Sequence, residues 1–181
     1  LTFEQQHGDL PASLFRAENR QEEILALPVT RILAVPHSQN AGTNNWCLYL
    51  SVSPESSVQV DCQPSYSDPS SILQGGSKAH LIISELTCKV PDDAQAEFII
   101  DVIPGLSVSR IYNLLIGNGR HKYEFDANGV GCRFWTLGQI DLLHQVQFAT
   151  NMDQITAARS AIQKLWPEQT PLALDQGAYY T

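Results

Sequence analysis

The hydrophobic period of this chain changes at Pro104-Gly105, and that change constrains the fold more than any other feature. Before it, Trp46, Leu48, Leu50 and Val52 alternate with Cys47, Tyr49 and Ser51, the period of two that a half-buried strand requires. Thr30 to Val35 alternates more weakly, and Ser57 to Cys62 reads as a short strand after a turn at Pro54. Lys78 to Val90 and Ala96 to Val102 read as two further strands around a Pro91-Asp92-Asp93 turn. Pro36 to Asn45 and Tyr66 to Ser77 are polar or Ser/Pro/Gly-rich and read as loops.

Beyond Pro104 the spacing becomes helical. Ser107 can cap a helix carrying Val108, Ile111, Leu114 and Leu115 on one face, with Gly117 and Gly119 to stop it. Lys122 to Phe125 is a short strand leading into the turn Asp126-Ala127-Asn128-Gly129. From Cys132, the residues Phe134, Leu137, Ile140, Leu143 and Val146 recur as one helix face, and Asp153 caps a last helix that Pro167 ends. The expected class is α+β: a mainly antiparallel sheet of about four to six strands, covered by C-terminal helices over 107–117, 132–148 and 153–166. Residues 1–28, helix-compatible from Pro11 to Leu27, are expected as an N-terminal helical arm. Residues 29–181 form a single α+β domain without repeats.

Charge and cysteine usage narrow the function. The chain has 181 residues, a formal net charge of −8 and no cluster of Lys or Arg. Binding a phosphate backbone or an anionic membrane depends on clustered cations, so no nucleic acid and no membrane is expected as a partner. Cys47, Cys62, Cys88 and Cys132 show no CxxC spacing and no regular interval, and no His/Asp/Glu spacing encodes a metal. No cofactor motif is present, since Gly117-Asn118-Gly119 is too short for a phosphate loop and falls at a helix end, where the dipole repels anions. Nothing marks secretion, so a reduced, cytoplasmic setting is expected.

The run Asn128-Gly129-Val130-Gly131-Cys132-Arg133-Phe134-Trp135 carries the most chemistry. A thiol at a helix N-terminus feels the unpaired N–H groups there, which favours its thiolate. The same run equally describes a structural corner with Cys132 as a small buried residue and the aromatics as core. Arg133 offers a cationic fork for a carboxylate or carbonyl, or else a plain ion pair with Asp126 or Glu124. Trp46, Tyr49, Tyr66, Tyr112, Tyr123 and Trp135 fall near strand and helix starts, where they can line an apolar pocket or pack a core.

Asn44-Asn45-Trp46-Cys47-Leu48-Tyr49-Leu50, taken with Tyr123 to Trp135, resembles a family of small, mostly uncharacterised fungal proteins. In that family an Asn-His-Trp start to an alternating strand is paired with a later Gly-Cys-Arg-aromatic-Trp segment, and the resemblance spans roughly residues 30 to 150. More distantly, a strand start, a meander and a helix-start cysteine are similar in order to permuted papain-like enzymes such as the lecithin retinol acyltransferase group. That resemblance implies a strand histidine as general base and Cys132 as nucleophile, but Asn45 stands where the histidine would be. Asparagine cannot take the proton, and general-base help is typically worth roughly 10²–10⁴ in rate. His37 and His121 are the substitutes nearest in sequence, with His80 and His144 behind them.

Three functions follow. The first is a cofactor-independent enzyme of fungal natural-product metabolism that cyclises or isomerises a hydrophobic small-molecule substrate, as a pericyclase does. Asn45, Arg133 and Cys132 are its expected catalytic residues, and Trp46, Tyr49, Tyr123, Trp135 and His121 its expected substrate-binding residues. The second is a cysteine-dependent acyl or peptidyl transferase or hydrolase using Cys132, and the third a non-catalytic small-molecule binding protein. Oligomeric state is left open, a homodimer included.

Overall fold

The computed structural model describes residues 20–181 in full and the backbone of 13–16. The elements in chain order are β1 (Ser13–Arg16), α1 (Gln21–Ala26), β2 (Arg31–Asn40), β3 (Thr43–Ser53), β4 (Ser56–Pro69), β5 (Ser77–Leu86) and β6 (Phe98–Asp101). Then come α2 (Val108–Gly117), β7 (Tyr123–Phe125), α3 (Cys132–Gln145), α4 (Met152–Ile162), β8 (Lys164–Leu165), β9 (Thr170–Pro171) and β10 (Ala178–Tyr179). Most of them form one curled sheet in the order β10-β7-β5-β4-β3-β2-β6. All neighbours on that path run antiparallel, and β1 lies parallel to β5. β8 and β9 form a separate small hairpin.

The central strands are buried on both faces. Ile32, Ala34, Trp46, Leu48, Leu50, Val58, Val60, Cys62, Leu81 and Ile83 join side chains of α1 to α4 in the main core. Their neighbours Leu33, Val35, Cys47 and Tyr49 form a second cluster, packed by Leu86, Val90 and Ala94. Two-sided burial explains why Thr30 to Val35 alternates so weakly, because both faces of β2 need apolar residues. The second face also carries Asn45, Gln59, Asp61, Gln63 and His80, by the register of β3, β4 and β5. Among the described residues, no helix is long and apolar enough to cross a membrane.

Several boundaries differ from the sequence expectation. The expected loop Pro36 to Asn45 is instead the end of a long hairpin, closed at Ala41-Gly42, where both residues have positive φ (52° and 78°). Such left-handed pairs match the twist of the flanking strands, so the ladder runs to the turn. Of the expected helix Pro11 to Leu27, residues 13–16 are strand and Gln21–Ala26 helix, while Pro11 lies outside the described residues. Helix α4 is capped by Asn151, whose side chain accepts from the amides of Asp153 and Gln154, and not by Asp153. It ends at Ile162; Pro167 disfavours helical backbone just before it, and Lys164-Leu165 turns extended to pair with Thr170-Pro171.

Two breaks in the sheet ladder matter for function. Between the pairs Pro36↔Trp46 and Gln39↔Asn44, residues His37 and Ser38 stand opposite Asn45 alone, a β-bulge beside a proline that has no N–H to give. On β4, pairing with β5 lapses between Pro64 and Pro69, and Tyr66 within this excursion has φ 58°. Both breaks face the start of α3.

Candidate functional site

A pocket of about 290 Å³ opens between these two breaks and the Asn128–Cys132 corner. The β2–β3 hairpin contributes Asn40, Ala41, Thr43, Asn44 and Asn45, β4 contributes Gln63, Pro64 and Tyr66, and the corner contributes Asn128, Gly129, Val130 and Cys132. Irregular backbone is what makes the space. The bulge sets Asn45 apart from its neighbours, and the lapse in β4 turns Tyr66, 75% exposed, over Gly129. A Cβ on Gly129 would fall 2.4 Å from the Tyr66 hydroxyl, and its φ of 71° also favours glycine.

Asn44 is fully buried and fastens the floor. Its amide nitrogen donates to the carbonyls of His37 (2.8 Å) and Trp166 (2.9 Å), and its Oδ1 accepts from the Trp166 amide (2.7 Å). The Cys132 thiol donates to the Asn44 carbonyl at 3.6 Å. Burial pushes this thiol's pKa up; the Trp46 and Arg133 backbone amides and the Arg133 charge pull the other way and lose. The favourable field of the helix start is therefore present, but desolvation outweighs it.

A line of polar contacts runs from Asn45 into the second face of the sheet. Asn45 Nδ2 lies 3.6 Å from Cys47 Sγ, and Gln59 Nε2 is 3.7 Å from the same sulfur and donates to the Tyr49 hydroxyl at 2.9 Å. Tyr49 is 2.6 Å from His37 Nε2, and His37 Nδ1 is 2.7 Å from the Asp93 carboxylate. An ionised carboxylate can only accept, so Nδ1 carries the proton, and in the neutral ring Nε2 receives the Tyr49 O–H. Burial, then the nearby Cys47 and Asp61, push the Tyr49 phenol pKa up. Burial, then the nearby Asp61, push the Cys47 thiol well up.

Of the residues expected to share one site, the structure brings Asn45 and Cys132 to the pocket and places the others elsewhere. Arg133 is 1% exposed and donates to the carbonyls of Ile162 (2.8 Å), Ala173 (2.7 Å) and Leu172 (2.6 Å), holding the C-terminal segment. Burial lowers its pKa. Glu124, one of the carboxylates considered for it, is instead held by the hydroxyls and amides of Ser70, Ser71 and Ile72. Trp46 lies in the main core against Phe98, with ring centroids 5.9 Å apart. Trp135 is in the same core and donates from Nε1 to the Arg120 carbonyl at 2.8 Å. Tyr123 donates to the Gly131 carbonyl (2.8 Å) and accepts from the Gly177 amide (3.0 Å), tying the corner to the C-terminal strand. Tyr49 belongs to the polar line behind Asn45. His121 is 4% exposed with neither ring nitrogen bonded among the described residues, and burial lowers its pKa.

Sequence reasoning missed Gln63, the pocket role of Asn128 and the pairing of Asp93 with His37. The signal available for Gln63 and Tyr66 was the Pro64-to-Pro69 spacing, which interrupts a ladder on both sides of them. No curated protein and no solved structure matches this chain. Nothing supports the likeness to papain-like enzymes. The model of one family does match, over residues 30–180, which hold the bulge, the pocket and the tail that Arg133 binds: the chain belongs to the family described as Domain of unknown function (DUF7770).

Proposed function

We propose that the protein is a cofactor-independent enzyme that binds a hydrophobic small molecule in this pocket and promotes its cyclisation or isomerisation by holding it in a reactive shape. The observation that carries the proposal is the lining. It combines apolar Ala41, Pro64 and Val130 and the Tyr66 ring with neutral hydrogen-bonding side chains, and among the described residues it includes no Lys, Arg, His, Asp or Glu. Such a wall orients and excludes water, and positioning alone can supply about 7–11 kcal/mol in favourable cases. A role in natural-product metabolism and a cytoplasmic setting go with this proposal. Nucleophilic use of Cys132 is the weaker reading, because its thiol is buried and its pKa raised.

The test is to incubate the purified protein with a small-molecule extract of the source cells and follow the products by mass spectrometry. A compound of unchanged mass and altered retention, formed without added cofactor, is the expected result. A substrate-derived adduct on Cys132 supports the transferase reading instead. Binding without conversion supports a non-catalytic carrier.

A further inference from the structure

The far end of β3 borders a second cavity, of about 340 Å³, lined by Thr30, Arg31, Ser51, Ser53, Pro54 and Lys89. Arg31 stands opposite Ser51 in the β2–β3 ladder, so both lie on the sheet face that also bears Leu33 and Tyr49. Lys89 reaches the same place from the loop between β5 and β6. That loop is fixed over this face: the Ser57 hydroxyl donates to the Cys88 carbonyl at 2.9 Å, and Val90 packs against the cluster of Leu33 and Tyr49. Two cations from two elements thus meet at one cavity, and among the described residues no carboxylate lines it.

The donors at this cavity are largely uncommitted. Arg31 Nη2 is 3.8 Å from the Asp101 carboxylate, beyond hydrogen-bond length, and the guanidinium makes no hydrogen bond among the described residues. Lys89 gives one N–H to Glu97 at 2.5 Å and keeps two. Ser51 is only 6% exposed, yet its hydroxyl has no partner among the described residues. Buried hydroxyls are nearly always bonded, so a buried one without a partner beside two cations points to a guest that accepts. The other hydroxyls are spent, Thr30 on the Ser51 carbonyl (3.2 Å) and Ser53 on Ser56 (2.5 Å).

We propose that this cavity is a second binding site, for the phosphate group of a small molecule, held between Arg31 and Lys89 with the Ser51 hydroxyl donating to it. The site is independent of the Asn45 pocket, which lies at the opposite end of β3. A guanidinium fork matches two oxygens of a phosphate and an ammonium takes a third. Its charge of about −1.5 to −2 near pH 7 answers both cations, where a carboxylate answers one. Glu97 and Asp101 hold the cations from outside the lining, and exposed pairs of this kind are weak, so a dianion that meets both cations at once displaces them. The net charge of −8 is spread over the chain, and at 0.1 M salt charges beyond about 10 Å are largely screened. Two cations suit one phosphate and not a nucleic-acid backbone, which needs a row of them.

The probes are inorganic phosphate, glycerol 3-phosphate and acetate, titrated at neutral pH and constant ionic strength into the ¹⁵N-labelled protein while the amides of residues 30–31, 51–53 and 88–90 are followed. Both phosphates are expected to give saturable shifts there, at least tenfold tighter than acetate, with the amides of 43–45 and 128–132 unmoved. Arg31→Gln and Lys89→Gln should each weaken phosphate at least tenfold, and Ser51→Ala at least threefold. Glu97→Gln, which frees the remaining N–H of Lys89, should tighten it. Arg31 and Lys89 are half-exposed and glutamine keeps most of each stem, so both variants are expected to fold, and the rest of the spectrum checks that they do. The absence of saturable shifts with either phosphate, acetate binding as tight as phosphate, or an affinity that neither Arg31→Gln nor Lys89→Gln lowers overturns the site. Phosphate shifts confined to 43–45 and 128–132 overturn it too, while leaving the Asn45 pocket standing.

Discussion

The thiol of Cys132 at the start of α3 donates to the backbone carbonyl of Asn44 at the start of β3, 3.6 Å away, and so joins the two elements at the pocket floor. A serine hydroxyl can make the same bond. Cys132→Ser is therefore expected to keep ligand binding and any turnover, with a stability change below about 1.5 kcal/mol, the range of near-isosteric swaps. Cys132→Trp should cost about 1–3 kcal/mol by overfilling the site. Chemical denaturation of both variants checks this, and loss of turnover in a folded Cys132→Ser protein would return the cysteine to the mechanism.

Arg133 was expected at the ligand, and its position leads to a different mutational outcome. Arg133→Ala leaves the carbonyls of Ile162, Leu172 and Ala173 without their donor, and each buried unsatisfied group costs about 1–3 kcal/mol. The melting temperature should fall sharply, and protease should cut the segment after residue 163 first. Lysine should not rescue it, because a single ammonium cannot span the fork. A variant with unchanged melting temperature and lost turnover would place Arg133 at the ligand after all.

Acid stability should fall in two steps. His121 has a folded-state pKa lowered by burial and by Lys122, so the unfolded chain takes the proton first as pH drops below about 6.5, and stability declines from there to the folded pKa. Glu124 is buried, which by itself raises its pKa, yet hydrogen bonds from Ser70, Ser71 and Ile72 leave it lowered overall. Its contribution is complete above the unfolded value of about 4.5 and is lost as pH falls through the folded one. Urea midpoints from pH 8 to 3 should show both declines, with His121→Phe removing the upper and Glu124→Gln the lower. A flat profile for the unmodified protein contradicts both assignments.

Tyr66 and Gly129 separate binding from stability. Tyr66 is so exposed that Tyr66→Ala should change stability by no more than about 0.5 kcal/mol, yet it removes a wall of the pocket. Gly129→Ala adds a Cβ at 2.4 Å from the Tyr66 hydroxyl on left-handed backbone, which should displace the ring and cost about 1–3 kcal/mol. Ligand affinity should drop in both. Unchanged affinity in both would move the site away from this wall.

The elements legible in the sequence were those with a clean period. The alternation of Trp46 to Val52 matches β3, and Ser107, whose side chain accepts from the Arg110 amide, caps α2 as its place before Val108 suggested. The helix start at Cys132 was legible from the glycines before it, with Gly131 at φ 150° as the residue that caps α3. The polar hairpin end was not, because Pro36 to Asn45 has loop composition and its strand character comes from pairing across the Ala41-Gly42 turn. For the site, Asn45 and Cys132 were found because they begin elements. Arg133, Trp135 and Tyr123 begin elements too, but their side chains point into the core and the C-terminal segment, a direction that position in sequence does not encode. Gln63 was missed because its role depends on a lapse in pairing between β4 and β5, which is a property of two strands and not of one.

The central claim is that the pocket around Asn45 is where a small molecule is converted. Its most direct test is the rate at which Asn45→Ala forms the mass-neutral product, measured beside its melting temperature. The account predicts at least a tenfold loss of rate, about 1.4 kcal/mol, with a melting temperature that barely moves. Full activity in Asn45→Ala, or activity lost only in step with unfolding, would contradict it.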